Sequence, residues 1–337
     1  MSTMDGTVAS REQLLDEIEH SQRFLLATHE NPDGDALGSL AGMQLVLSAL
    51  GKDSVAYMAP DEFPLPYEYT FLAVENLVTE PPADLEERTI VFLDCGNIDR
   101  NPADSLKREG ARILNVDHHH DNTQFGTVNH VVPEASCTAE VIWDLMEGLG
   151  VRPTQAIAEA LYVGLVTDTG KFMYENTGPR AHLMAADLIE AGVHVHAIYR
   201  RLFEGVPQGK LELLARGLSN VERLDGGLLT VTHLTRDDYA ATSADESFSE
   251  GVVDHLRALQ GTAVAGLVRD LVADGDGDAA GPGRRKVSLR ATDDRVDVSE
   301  IARSQGGGGH RRAAGFTTTL EFPQLVEVLR AGVAEQL

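Results

Sequence analysis

Through the first half of this chain, short apolar runs stop at polar, carboxylate-rich turns, and helical patterns fill the stretches between them. RFLLAT (23–28), SVAYMA (54–59), TIVFLD (89–94) and ARILNVD (111–117) read as buried strands. Helical patterns occupy 10–20, about 36–50, about 137–149, 154–167 and about 179–191. Strands alternating with helices imply βαβ units and a mostly parallel sheet, so the expected class is α/β. This block is expected to form one domain over 1–192, followed by a polar helical linker over 193–224. A smaller α+β domain is expected over 225–337, with strands at 228–234, 262–271 and 285–292 and a strand in AAGFTTTL. Its helices are expected at about 248–259, at 298–304 and from about 322, and Ala273–Gly283 reads as a flexible hairpin connection.

The charge balance narrows the function. With 53 acidic against 28 basic residues and a net charge of −25, the chain is a poor candidate for coating long nucleic acid, which needs many Lys and Arg along the phosphates. A short phosphorylated ligand remains compatible if metals and a few arginines supply local positive charge. The two cysteines, Cys95 and Cys137, lack CxxC spacing, which argues for a reducing, cytoplasmic setting and against a thiolate zinc site. Neither a secretory leader nor a membrane-spanning apolar stretch is expected.

Four acidic clusters sit where apolar runs end: His29-x-x-x-Asp33-x-Asp35, Asp94, Asp117-His118-His119 and Asp168. A single Asp after a strand usually caps a helix or forms a turn. Four clusters, two of them with histidine, favour one shared crevice at the strand ends, where open parallel sheets bind ligands. Carboxylate and imidazole without thiolate suit a pair of divalent cations, Mn²⁺ best, with Mg²⁺, Co²⁺ or Fe²⁺ as alternatives. Gly34 lets Asp33 and Asp35 address adjacent metals, and Asp94, in mid-crevice, is the natural bridge. The helix starting near Ala36 adds free N–H groups for an anion.

HENPDGDALGS, VFLDCG, NVDHHHDN and GLVTDTGKF resemble, in order and spacing, the four motifs of the DHH phosphoesterase superfamily. GGGGHRRAAG resembles the glycine-histidine signature of the C-terminal domain associated with it. Length and architecture are most similar to the stand-alone nanoRNase and pAp-phosphatase branch, which includes soluble cyclic di-AMP phosphodiesterases. The resemblance implies His29, Asp33 and Asp94 on one metal, and Asp35, Asp94, His118 and Asp168 on a second. It implies that His119 faces the substrate phosphate, that Asp117 orients an imidazole, and that His120 occupies a variable position. It also implies a homodimer.

In the second domain, Gly306–Gly309 can be read as a turn, but His310, Arg311 and Arg312 follow at once in an otherwise acidic protein. Gly307, Gly308 and Gly309 would let a phosphate approach exposed N–H groups, with His310 and Arg311 beside it. The resemblance adds Arg290 as a further phosphate contact. The expected activity is a manganese-dependent hydrolase of oligoribonucleotides (2–5-mers), pAp, and linear or cyclic di-AMP. An inorganic pyrophosphatase and a catalytically silent nucleotide sensor are the alternatives.

Overall fold

The computed structural model describes residues 2–72, 74–271 and 283–337, without the side chains of residues 2–9 and of His310. Most of the expected Ala273–Gly283 connection lies outside the described residues. The chain divides into two compact units, Met1–Gly205 and Val206–Leu337.

In the first unit, strands β1 (Arg23–Ala27), β2 (Asp53–Tyr57), β3 (Leu77–Val78), β4 (Thr89–Leu93), β5 (Ile113–Asp117) and β6 (Val128–Val131) form one sheet. Its order is β3-β2-β1-β4-β5-β6, and every pairing is parallel. The chain runs outward from β1 in one direction and from β4 in the other, so a crevice opens beyond the ends of these two strands. Side-chain alternation splits the strands between two cores: Phe24, Leu26, Val91 and Leu93 face one side, Leu25, Ala27, Ile90 and Phe92 the other. Burial on both faces explains the continuous apolar runs.

The unit's helices are α1 (Ser2–His20), α2 (Gly34–Ala49), α3 (Thr138–Gly148), α4 (Gln155–Asp168), α5 (Pro179–Glu190) and α6 (Val195–Phe203). Helix α2 starts where the Asp33 side chain accepts hydrogen bonds from the N–H groups of Asp35 and Ala36, both at 3.0 Å. It is apolar nearly all round because it lies against both the sheet and α4. The α2–α4 contact is built on glycine. A Cβ at Gly38 would lie 2.6 Å from the Ala160 carbonyl oxygen, and one at Gly164 would lie 2.7 Å from Asp35 Oδ1.

The second unit contains α7 (Gln208–Ser219), β7 (Glu222–Leu224), β8 (Leu229–Leu234), α8 (Arg236–Thr242), α9 (Val252–Arg257), β9 (Val264–Asp270) and β10 (Arg285–Ala291). It ends with α10 (Val298–Ser304), β11 (Gly308–His310), β12 (Ala313–Thr318) and α11 (Phe322–Ala334). The sheet order is β11-β12-β10-β9-β8-β7, with only β8 and β9 parallel. The 193–224 segment is not a free-standing linker. Ile198 and Leu202 of α6 join the first unit's core, whereas Leu213 of α7 packs with Leu234 and Leu256 of the second. Helix α8 was not apparent from the polar sequence RDDYAAT; a reciprocal capping box between Thr235 and Asp238 starts it.

Candidate metal centre

Each acidic cluster comes from a loop or helix end facing the β1–β4 crevice. His29 follows β1, and Asp33 and Asp35 open α2. Asp94 follows β4, Asp117–His119 close β5, and Asp168 ends α4. Three overlapping sets of potential metal-binding groups result: His29, Asp33 and Asp94; Asp94, His118 and His119; and Asp35, His118 and Asp168.

Asp94 belongs to two of them. Its Oδ2 is 3.6 Å from His29 Nε2, and its Oδ1 is 3.7 Å from His118 Nε2 and 3.6 Å from His119 Nδ1. Its carboxylate is 2% exposed, and its backbone holds φ +56°, a left-handed conformation that Asp tolerates better than most residues. His118 Nε2 also lies 4.0 Å from Asp35 and 3.7 Å from Asp168.

Backbone carbonyls lie behind the two imidazoles. His29 Nδ1 lies 2.7 Å from the Glu30 carbonyl oxygen and His118 Nδ1 3.3 Å from that of Ala135. With Nδ1 donating in both rings, each presents Nε2 to the carboxylates, as a metal ligand must. Buried Asp35 accepts from the N–H groups of Thr138 at 2.6 Å and Ala139 at 3.0 Å, and so caps α3 from another helix. Thr138 Oγ1 donates to Asp94 at 3.0 Å. Asn176 Nδ2 donates to Asp168 at 3.0 Å and to the Ser136 carbonyl at 2.8 Å. The fully buried Asp117 accepts from His119 Nδ1 at 2.7 Å and from Asn122 Nδ2 at 2.6 Å.

The electrostatics fit a divalent cation. Burial, then the charges of Asp94, Asp168 and Asp33, push the Asp35 carboxyl well above its ordinary range. Burial, then Asp94 and Asp33, raise Asp168 to about 7 against the opposing pull of His118. Buried like charges this close call for positive charge among them. Thiolate is absent from the donor set: burial raises Cys95 to about 12, and its S–H points to the Asn97 carbonyl at 3.1 Å. The donor set is therefore oxygen and imidazole nitrogen, which suits Mn²⁺, Mg²⁺ or a similar ion. Burial works against charge on His119, but the Asp117 hydrogen bond and the Asp94 charge outweigh it and lift the ring to about 9. Burial likewise opposes charge on Asp117, but the His119 bond lowers it.

Exposed His120 joins none of these sets, and Lys171 lies over the Phe203 ring at 4.2 Å. Thr138 and Asn176 were not apparent from sequence, and Asn122 was given no role although it ends the NVDHHHDN motif. Thr138 carried a signal as an N-terminal residue of an expected helix with free N–H groups.

This chain belongs to the DHH family. The family's N-terminal domain matches residues 23–165, and the DHHA1 domain matches 239–335. The bifunctional oligoribonuclease and PAP phosphatase NrnA of Thermus thermophilus is 34% identical over 314 residues, covering 93% of this chain and 89% of that one. In fold, an exopolyphosphatase-related protein from Bacteroides fragilis superposes with a TM-score of 0.86 at 22% identity, over 97% of this chain and 96% of that one. RecJ from Thermus thermophilus, in complex with Mn²⁺, superposes with a TM-score of 0.56 at 17% identity, over 97% of this chain and 55% of that one. As a DHH-family protein the chain is a hydrolase of phosphoester bonds, and no described helix is long and apolar enough to cross a membrane.

The DHHA1 unit holds the remaining candidates. On β10, Lys286, Ser288 and Arg290 alternate with the buried Arg285, Val287 and Leu289 and so occupy the other face of the sheet. Arg290 and His310 both register with Ala313, on either side of it; the His310 side chain lies outside the described residues. Gly306 lies in a turn with φ +79°, and Gly308 and Gly309 begin strand β11. A Cβ at Gly307 would come 2.2 Å from the Gly315 carbonyl oxygen, and one at Gly309 2.6 Å from that of Ala313, whereas nothing lies within 4 Å above Gly308. Arg311 is turned aside, donating to the Asp294 carbonyl at 2.6 Å.

Proposed function

We propose that this chain is a manganese-dependent phosphohydrolase of short nucleotides, with oligoribonucleotides of two to five residues and pAp as main substrates and linear or cyclic di-AMP as further candidates. The observation that carries the reading is Asp94, shared between two carboxylate–imidazole sets. The oligoribonuclease and PAP phosphatase activities in the Thermus thermophilus relative's name support the substrate class.

In this reading His29, Asp33 and Asp94 hold one Mn²⁺, and Asp35, Asp94, His118 and Asp168 the other, with Mg²⁺ or Co²⁺ as substitutes. A bound pair supplies Lewis acidity to the phosphoryl oxygens and acidifies water. The protein's own groups do the rest. Thr138, Asn176 and the N-terminus of α3 hold the carboxylates, so the centre needs little rearrangement on binding. Asp117 fixes the His119 ring through Nδ1, which aims the opposite nitrogen, Nε2, at the phosphate; the charged ring donates a proton toward the leaving oxygen. In the DHHA1 unit, Arg290, open Gly308 and His310 read the far nucleotide, with Gly307 and Gly309 keeping the strand close to its neighbour. Arg311 braces the neighbouring loop.

We also read the protein as cytoplasmic, because Cys95 and Cys137 are buried free thiols, and as a homodimer, for which exposed Leu183, Ile189 and Tyr199 offer apolar surface. The test is one Mn²⁺ panel of pApA, pAp, cyclic di-AMP, pyrophosphate and a long single strand, ranked by kcat/KM. Chelator-sensitive turnover of the short nucleotides is expected. Preference for pyrophosphate, or tight binding without turnover under any divalent metal, would overturn the assignment.

A further inference from the structure

Arg100 follows β4 at the end of the short helical turn Ile98–Arg100. That turn is anchored without its side chain. Asn97 caps it by accepting from the Asp99 N–H at 3.0 Å, and the Arg100 carbonyl accepts from the Glu30 N–H at 2.7 Å. Backbone contacts thus tie Arg100 to the loop that carries His29.

The half-buried guanidinium lies beside His29. Its Nη2 lies 3.1 Å from His29 Nδ1, but that nitrogen donates to the Glu30 carbonyl when His29 presents Nε2 to Asp94, so it has no lone pair for Arg100. Among the described residues no carboxylate oxygen lies within 4.0 Å of it, although Asp33 and Asp94 are ligand candidates beside the same His29. The ion pairs of Asp94 are with histidines instead. A charged group with five donors in a rigid fork is therefore held beside His29 with no carboxylate partner among the described residues. Its charge acts on His119 as well as His29, so it sits among the groups that surround the crevice. A phosphoryl group, with charge spread over its non-bridging oxygens, matches that fork.

We propose that Arg100 is a catalytic residue that grips a non-bridging oxygen of the phosphoryl group being hydrolysed. This rests on the phosphohydrolase reading above. Arginine stays protonated throughout, so its part is to stabilise charge that grows in the transition state.

The test compares wild type, Arg100→Gln and Arg100→Lys, each checked for folding by circular dichroism. Three quantities are read: turnover of pAp with Mn²⁺, Mn²⁺ affinity by electron paramagnetic resonance, and binding of inorganic phosphate to the Mn²⁺-loaded protein by calorimetry. Arg100→Gln should lower kcat by about 10²–10³-fold, as loss of one preorganised donor does. It should also weaken phosphate binding while leaving Mn²⁺ affinity unchanged, and Lys should restore part of both losses. Unchanged phosphate binding and kcat would overturn the proposal. So would weakened Mn²⁺ affinity rescued by excess metal, which would make Arg100 a support for His29. If wild type turned over no short nucleotide, the activity reading would fall, and Arg100 would still be decided by phosphate binding.

Discussion

The metal centre and the DHHA1 face are both polar sites on sheets, yet they are built in opposite ways. At the centre, Asp35 and Asp94 are 1% and 2% exposed, and Asp35, Asp94, Asp117 and Asp168 each accept from a named protein donor. On the DHHA1 face, Arg290 keeps 31% of its side chain exposed, beside open Gly308 and small Ala313. Burying like charges is costly, so a site that does so must be fully scaffolded and ready for cations. In the proposed reading the DHHA1 face needs only shape and a few cations to take one end of a nucleotide, and Arg290 there pairs at 3.9 Å with Asp254. The difference predicts that damage at the centre removes chemistry, whereas damage on the DHHA1 face removes affinity.

The sharpest break would come from Asp94. Asp94→Asn should abolish metal binding at both sets and lower kcat by more than about 10³-fold, since even residues that merely orient ligands cost 10–100-fold. A variant with full metal content and rate would end the bridging role. Next comes Asn122→Ala, which frees the Asp117–His119 pair; kcat should fall about 10–100-fold with metal content intact. Arg290→Ala should act the other way, raising KM for dinucleotides about 10-fold with kcat nearly unchanged; a pure kcat effect would erase the contrast between the units.

The smallest effect is on stability. The metal-free fold holds Asp168 near 7 against an ordinary 3.8, and His119 near 9 against 6.5, so it binds protons more tightly than the unfolded chain. Stability from these groups is full at acid pH and is lost as pH rises, across about 4–7 for Asp168 and about 6.5–9 for His119. Melting temperatures of chelator-treated protein should therefore decline over those windows, and Mn²⁺ should raise them most at the alkaline end. A rise with pH in the metal-free protein would contradict the assigned environments.

Legibility in sequence followed the same divide. The strand ends announced themselves because an apolar run that halts at Asp or His is a local pattern, and β1, β4 and β5 carry it. The crossing contacts were silent, because Thr138 meets Asp35, and Asn176 meets Ser136, only after the chain has folded back. Strands β3, β6 and β7 escaped notice because two to four residues give too little alternation to read. In GGGGHRRAAG the residue types were plain, but Gly308–His310 pair as a strand, and that pairing is set by Gly315 and Ala313 on its partner, β12.

The glycine contact between α2 and α4 sets how this enzyme should fail. Asp35 rides on one helix and Asp168 on the other, and backbone meets backbone between them at Gly38. The close contact between α2 and α4 therefore ties these two carboxylates to each other. On heating, activity should hold and then vanish together with the fold of the first unit, without an inactive but folded plateau between.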